Sequence, residues 1–267
     1  MEKFETKKSL GQNFLKSERA LREIIEAGDI TPGDLVLEVG PGEGALTTKL
    51  LNAGALVVAV EKDDRLVPIL SEKFGSNSHF TLIHGDILEL SPSEGPLGDT
   101  LATKSYKIIA NLPYYITGAF FQHIFESSHP AERMVVMLQK EVAQRIVAKD
   151  GKESILSQSI RAYGAPKYIS TVPRGAFAPA PTVDSAVILV SDVSKRFFET
   201  HHISEKMFFT AVKLGFAHKR KLVKSNLGFS EQELAEAGIA PKTRAEEVTQ
   251  ECWARAAQII EKKQKSG

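Results

Sequence analysis

Between residues 35 and 150, short β-branched apolar runs alternate with stretches whose apolar positions recur at helical spacing. Leu35–Val39 reads as a strand. The Gly44–Asn52 segment after it sets Leu46, Leu50 and Leu51 on one helical face, with Gly54 as its stop. Leu56–Val60 is the second strand, followed by a helix from Asp63 to Phe74 in which Pro68 predicts a kink or a late start. Phe80–Ile83 and Lys107–Ala110 are the third and fourth strands. Helix Gly118–Glu126, strand Arg133–Leu138 and helix Lys140–Lys149 continue the alternation. Residues 91–105 hold Ser, Pro, Gly, Asp and Thr with little period and predict a surface loop. Strands that are apolar throughout and alternate with helices predict a parallel sheet covered on both faces. Tyr168–Val172 and Ala186–Val190 predict an antiparallel pair at its edge. Beyond Lys195 only helical periods remain, at Glu205–Phe216, Ser230–Ala237 and Thr249–Lys262. The chain is therefore expected to divide into an α/β domain over residues 1–194 and a small all-helical domain over residues 195–267.

Composition narrows the class. Of 267 residues, 42% are hydrophobic and 25% charged, an ordinary globular balance. The single cysteine, Cys252, excludes an internal disulfide framework and a multi-cysteine metal site, and suits a reducing compartment. His84, His123, His201 and His202 show no ligand spacing with it, so no metal is expected. The central apolar run Ala55–Val60 is far below the ~20 residues of a membrane span. Glu2, Lys3, Glu5, Lys7 and Lys8 leave no apolar core for a secretory leader. A soluble, cytoplasmic protein is expected, with a monomer as the default.

Lys+Arg 34 against Asp+Glu 33 gives a net charge of only +1, but the distribution is uneven. Over residues 195–224, Lys195, Arg196, Lys206, Lys213, Lys219, Arg220, Lys221 and Lys224 face only Glu199 and Glu205, a local +6. Residues 1–22 are net basic as well. Solvated helix faces are the ordinary explanation; a polyanion running past both ends is the other.

In an open parallel sheet, ligands bind outside the carboxyl ends of the strands. Strand one ends in Glu38-Val39-Gly40-Pro41-Gly42-Glu43-Gly44, strand two in Glu61-Lys62, strand three in Gly85-Asp86, and strand four in Asn111-Leu112-Pro113-Tyr114-Tyr115. All four ends offer a hydrogen-bonding side chain. Gly40, Gly42 and Gly44 permit a tight turn and close approach of a ligand to the backbone. Glu61, about 20 residues beyond, is spaced to accept from both hydroxyls of an adenosine ribose. Asp86 is placed to accept from an adenine amino group. Taken singly, either acid could instead cap a helix. There is no G-x-x-x-x-G-K-[ST], and Glu43 within the loop would repel a pyrophosphate. S-adenosylmethionine, an adenosine carrying a sulfonium and no phosphate, suits these residues better than NAD.

Asn111-Leu112-Pro113-Tyr114 is the most specific signal. The exocyclic amine of a nucleobase is a poor nucleophile, because its lone pair is delocalised into the ring. Pro113 fixes the backbone and removes an N–H, leaving nearby carbonyls free to face a pocket. The Asn111 side-chain oxygen and the Leu112 carbonyl can then accept both amine hydrogens and stabilise the charge that develops on nitrogen. Tyr114 offers a π face for a flipped-out base. The alternative for this tetrapeptide is a turn with a buried tyrosine.

These motifs resemble those of the small-subunit ribosomal RNA adenine N6,N6-dimethyltransferases, the bacterial 16S rRNA enzymes and their eukaryotic relatives, over nearly the whole chain. The resemblance implies a Rossmann-like S-adenosylmethionine-dependent methyltransferase sheet with a small C-terminal all-helical domain. Gln12-Asn13-Phe14-Leu15 is similar to the family's cofactor-closing segment, implying that Asn13 and Leu15 contact the cofactor. Gly40, Glu61 and Asp86 fall where the family holds it, and Asn111 lies near the sulfonium. Asn111, Leu112, Pro113 and Tyr114 match the catalytic tetrapeptide. Phe177-Ala178-Pro179-Ala180-Pro181 resembles a proline-rich loop whose aromatic sandwiches the target adenine against Tyr114; the other reading of Phe177 is a core anchor. Phe216–Leu222, with Lys219, Arg220 and Lys221, is similar to a basic helix start used against RNA. The family often has two arginines before that lysine, and Lys219 gives up planar bidentate phosphate binding.

The expected activity is dimethylation at N6 of two adjacent adenosines in a hairpin near the 3′ end of 16S rRNA, within the small ribosomal subunit, with a role in subunit biogenesis. The rivals are the large-subunit adenine methyltransferase of the macrolide-resistance type and a non-catalytic assembly factor. Leu112, where the first rival more often has isoleucine, and the longer helical tail favour the small-subunit enzyme.

Overall fold

The computed structural model describes residues 12–266, so Lys3, Lys7 and Lys8, part of the predicted basic N-terminal face, lie outside the described residues. The chain opens with β1 (Phe14–Leu15) and α1 (Glu18–Gly28). The sequence reading placed no element there, although the signals are present. Ser17 caps the helix by accepting from the Ala20 N–H at 3.3 Å, and Leu21 and Ile24 bury one face. Then follow β2 (Leu35–Val39), α2 (Ala45–Asn52), β3 (Leu56–Glu61) and α3 (Leu66–Phe74). Helix α3 starts late, which puts Pro68 in its first turn where a missing N–H is tolerated. Next come β4 (Phe80–His84), α4 (Gly95–Leu101), β5 (Tyr106–Asn111), a single 3-10 turn (Tyr114–Ile116), α5 (Thr117–Glu126), β6 (Arg133–Gln139) and α6 (Lys140–Ile146). Helix α4 corrects the expectation of a loop over residues 91–105. Pro96 opens it, and Leu97 and Leu101, one helical turn apart, are both fully buried. The remaining elements are α7 (Ile155–Arg161), β7 (Ala165–Val172), β8 (Phe177–Ala178), β9 (Ser185–Ser191), α8 (Arg196–Thr200), α9 (Glu205–Gly215), α10 (Val223–Leu227), α11 (Glu231–Ala237) and α12 (Gln250–Ser266).

Seven strands form one sheet in the order β4-β3-β2-β5-β6-β9-β7. Strands β4, β3, β2, β5 and β6 run parallel, β9 runs antiparallel to β6, and β9 and β7 are neighbours at the edge. From β2 the chain builds outward through β3 to β4, then returns to the other side of β2 to add β5 and β6. The order therefore reverses between β2 and β5, and a crevice opens at their carboxyl ends. Two-residue strands β1 and β8 form a separate ladder that pairs Leu15 with Phe177. Val36, Val57, Ala59, Ile109, Val135 and Met137 from the sheet pack with Leu21, Ile24, Leu46 and Leu50 from α1 and α2. This buried layer fixes where the strand ends stand.

Two compact units result: residues up to Ala143 with Lys167–Val193, and Gln144–Pro166 with Ser194–Gly267. This differs from a single cut after residue 194, because segment 144–166, with α7, groups with the C-terminal helices. Within that second unit Trp253 is fully buried and stacks with Phe216 at 5.9 Å. Among the described residues no helix is long and apolar enough to cross a membrane.

Candidate functional site

At the carboxyl ends of β2, β3, β4 and β5 lies a cleft of about 1110 Å³, open solvent at its mouth included. Its lining brings together Asn13, Leu15, Gly40, Glu61, Asp86, Asn111, Leu112, Pro113 and Tyr114, which the sequence scatters over about 100 positions. The β2–α2 turn forms one wall. Gly40 has φ +66° and Gly42 φ +58°, a region that L side chains rarely adopt. A Cβ on Gly40 would meet nothing within 4 Å, so the backbone there borders open space. A Cβ on Gly42 would come within 2.9 Å of the Phe14 ring, so the N-terminal segment rests directly on the glycine turn. That segment has further fastenings around the cleft. Gln12 donates to Asp63 at 2.7 Å, Lys16 pairs with Glu43, and the Asn13 carbonyl accepts from Asn111.

Acids dominate the floor. Glu61 is 6% exposed, and its two oxygens accept the Gly42 and Asp63 N–H groups at 3.2 and 2.8 Å. Burial holds its pKa above the ordinary carboxylate value against those two hydrogen bonds. Each oxygen keeps a second lone pair, enough for a vicinal diol. Glu38, buried behind the loop, accepts from Thr47 at 2.7 Å and is pushed up to about 8 by burial, with the Glu61 charge adding to the shift. Asp86 accepts from the Leu88 N–H at 3.0 Å and pairs with Lys62. Burial works against its ionisation, but Lys62 and that backbone bond prevail and its pKa falls. The Arg65 guanidinium holds Asp63 well below the usual range. With Glu38 holding its proton behind the loop, the carboxylates of Glu43, Glu61 and Asp86 around Gly-rich backbone suit a cationic nucleoside and repel a diphosphate. The residues present thus fit an adenosine that carries a positive sulfur.

The fourth strand end closes the cleft. Asn111 ends β5, and its Nδ2 donates to the Asn13 oxygen at 3.2 Å. The Leu112 N–H donates to Met137 O at 3.0 Å, and no described residue donates to the Leu112 carbonyl. Pro113 precedes the 3-10 turn, which sends Tyr114 toward Ser185, its hydroxyl 2.7 Å from Ser185 Oγ, and leaves Tyr115 58% exposed. The Tyr114 ring is thus fixed edge-on to a fully buried serine with its pKa raised by burial.

Phe177 is not part of this lining. It is 6% exposed and packs in the core cluster with Leu15, Val172 and Val187, while its backbone pairs with Leu15. Lys219, Arg220 and Lys221 are exposed in the turn before α10, which Asn226 braces by donating to Gly215 O and His218 O. Sequence reasoning quoted Gln12 and Lys62 as members of their segments without giving either a role, and gave Asp63 only a place at a helix start. The pairings of Gln12 with Asp63 and of Lys62 with Asp86 cross 51 and 24 positions of sequence, and no local pattern marks them. Among the described residues no group of three His, Cys, Asp or Glu side chains gathers as a metal site.

Comparison with known proteins bears on what this cleft does. The family described as ribosomal RNA adenine dimethylase matches residues 3–262. Ribosomal RNA small subunit methyltransferase A of Dehalococcoides mccartyi (strain CBDB1) is 45% identical over 255 residues, covering 92% of this chain and 86% of the relative. The protein of the same name from Enterococcus faecalis is 40% identical, with 97% and 92% covered. Among solved structures, a dimethyladenosine transferase from Plasmodium falciparum superposes with a TM-score of 0.76 at 21% identity, over 94% of this chain and 98% of that one. The 23S rRNA methyltransferase ErmE gives 0.73 at 24% identity, over 93% and 100%. At those identities the two structures establish a shared fold alone.

Proposed function

The chain belongs to the ribosomal RNA adenine dimethylase family, and from that premise we propose that it methylates N6 of two adjacent adenosines in a hairpin near the 3′ end of 16S rRNA, within the small ribosomal subunit. It is an S-adenosylmethionine-dependent enzyme. The relatives at 40% and 45% identity carry the small-subunit name, which favours that substrate over the large subunit. The observation that carries the catalytic reading is the oriented pair at the end of β5: an Asn111 amide fixed by Asn13 beside a Leu112 carbonyl that no described residue occupies.

When bound, the cofactor supplies an electrophilic methyl on a positively charged sulfur. Glu61 accepts from the two ribose hydroxyls and Asp86 from the adenine amino group. Asn13 and Leu15 close over the nucleoside from the N-terminal segment, and Gly40 lets it approach the backbone. At the acceptor, Asn111 Oδ1 and the Leu112 carbonyl take the two N6 hydrogens and turn the nitrogen lone pair out of conjugation. As positive charge develops on that nitrogen, the same fixed dipoles stabilise it without reorganising. Tyr114, held by Ser185, stacks on the base, a contact worth about 1–3 kcal/mol. Phe177 acts in this reading as the anchor of β8. Lys219, Arg220 and Lys221 grip phosphates, and a monomer does the work in the cytoplasm, where subunits mature.

The test is transfer of tritiated methyl to unmethylated small subunits and, in parallel, to large subunits, with the labelled bases mapped. Label on two neighbouring N6-dimethylated adenosines of 16S rRNA is the expected result. Label on the large subunit alone, or cofactor binding with no transfer, overturns the proposal.

A further inference from the structure

The corner of the cleft beside Asp86 holds a charge that the reaction does not use. Lys62 follows Glu61 directly after β3, and its ammonium pairs with Asp86 Oδ2. Asp86 Oδ1 accepts the Leu88 N–H. Both oxygens of the one carboxylate placed for an adenine amino group therefore already carry a protein donor. An arriving amino group brings more donors, and its hydrogens meet a full positive charge at Oδ2. The two incumbents differ in freedom. The Leu88 N–H belongs to the backbone, whereas Lys62 ends a flexible four-carbon stem whose side chain is 51% exposed. Lys62 is the partner that can leave, and it has somewhere to go. The exposed Glu89 carboxylate is another charge that acts on it, and the Tyr115 side chain beside it is open to solvent, on a residue 58% exposed.

We propose that Lys62 sets base selectivity in the nucleoside site: each Asp86 oxygen keeps a second lone pair, but the Lys62 ammonium on Oδ2 sets a positive charge against the hydrogens of an adenine amino group, and Lys62 swings away when adenine binds. The proposal rests on the reading of Asp86 as the adenine acceptor. Two consequences separate it from an ordinary surface ion pair. The competitor opposes adenine, so the intact protein binds the nucleoside less tightly than its acids alone would allow. A hypoxanthine base, with a carbonyl in place of the amino group, meets Lys62 as a donor to its oxygen, so Lys62 narrows the preference for adenine.

Calorimetric titration of the full chain with S-adenosylhomocysteine and with its inosine counterpart tests this, on the wild type, Lys62→Met, Lys62→Arg and Asp86→Ala, with melting curves to show that each variant is folded. Lys62→Met is expected to bind S-adenosylhomocysteine roughly two- to five-fold more tightly, the range an exposed ion pair allows, and the inosine compound no more tightly. Lys62→Arg keeps the competitor and stays near wild type. Added salt, which screens the exposed pair, tightens S-adenosylhomocysteine on the wild type and leaves Lys62→Met unmoved. Equal or weaker binding by Lys62→Met, with Asp86→Ala clearly impaired, overturns the displacement while the nucleoside site stands. Wild-type affinity in Asp86→Ala removes the adenine reading and this proposal with it.

Discussion

The side-chain amide of Asn111 is held by the backbone of Asn13, Nδ2 donating to the carbonyl oxygen at 3.2 Å across 98 positions of sequence. A carbonyl can only accept, so this bond settles which end of the amide faces it and leaves Oδ1 as the acceptor. The Asn111→Ala variant is expected to lose about 10²- to 10³-fold in kcat, the usual effect of removing one fixed dipole from a developing charge. Its cofactor affinity should stay within a few-fold. Asn111→Asp, nearly identical in shape, sets a carboxylate against the Asn13 oxygen and should be no better. Single-turnover methyl transfer measures both; turnover comparable to wild type rejects the assigned role.

Glu38 makes a pH prediction with a definite sign. Its pKa rises from the ordinary 4.5 to about 8 in the folded chain, through burial above all. The folded state therefore holds a proton that the unfolded state releases. The resulting stability is fully present below about pH 4.5 and is lost as pH rises through about 8. Denaturant melts across that window should show wild type losing up to ~1.4 kcal/mol per pH unit through this group. Glu38→Gln, neutral and still able to accept from Thr47, should flatten the curve, leaving a shallower slope of the same sign from Glu61. Parallel curves for the two proteins would contradict the assignment.

Alanine at the two cleft-side glycines should give different losses. Both sit at positive φ, which costs an L side chain about 1–2 kcal/mol. Gly42→Ala also drives its Cβ into the Phe14 ring, so it should lose more stability and loosen the N-terminal segment, measured as faster proteolysis there. Gly40→Ala meets nothing in the chain itself. A drop in cofactor affinity beyond its stability loss would then report the ligand in that space.

Tyr114 and Phe177 should separate along the alternative that the sequence left open for Phe177, a core anchor rather than a stacking face. Tyr114→Phe gives up the Ser185 hydrogen bond, a loss of about 1 kcal/mol in stability, and keeps the stacking face, so much of the turnover survives. Tyr114→Ala loses the turnover. Phe177→Ala, a truncation in a buried cluster, should cost about 3–5 kcal/mol. Phe177→Leu should restore most of both stability and activity. A folded Phe177→Leu without activity would return that ring to the base-stacking role.

The exposed basic turn should matter to RNA alone. Replacing Lys219, Arg220 and Lys221 by alanine should weaken binding to small subunits and lower the salt slope by about one for each phosphate left without its cation. Titration with S-adenosylhomocysteine should be unaffected.

Much of the site was legible because its residues sit at strand ends, where a β-branched run stops and a polar or glycine residue follows. Glu38, Gly40, Glu61, Asp86 and Asn111 all announce themselves this way. Long, two-sided burial made β2, β3, β5 and β6 equally clear. Helix α4 was missed because a seven-residue helix leaves only Leu97 and Leu101 to mark its period, set among residues that favour turns. The placement of β9 between β6 and β7, and the grouping of segment 144–166 with the C-terminal helices, depend on tertiary packing that local periodicity does not encode. The Asn13–Asn111 and Lys62–Asp86 pairs join distant points of the chain through bonds that no motif contains.

The ladder that joins Leu15 to Phe177 and Phe14 to Ala178 ties together two stretches with separate duties. One lines the cleft proposed for the methyl donor; the other begins the proline-rich loop toward Ser185. On the proposed activity, four methyl groups on two adenosines would require spent donor to be exchanged for fresh at least three times. Any exit that lifts Phe14 and Leu15 pulls on residues 177 and 178 as well, so reloading is not a private event of the donor pocket. Turnover between successive methyls is then expected to answer to changes in either strand, although only one of them lines the cleft.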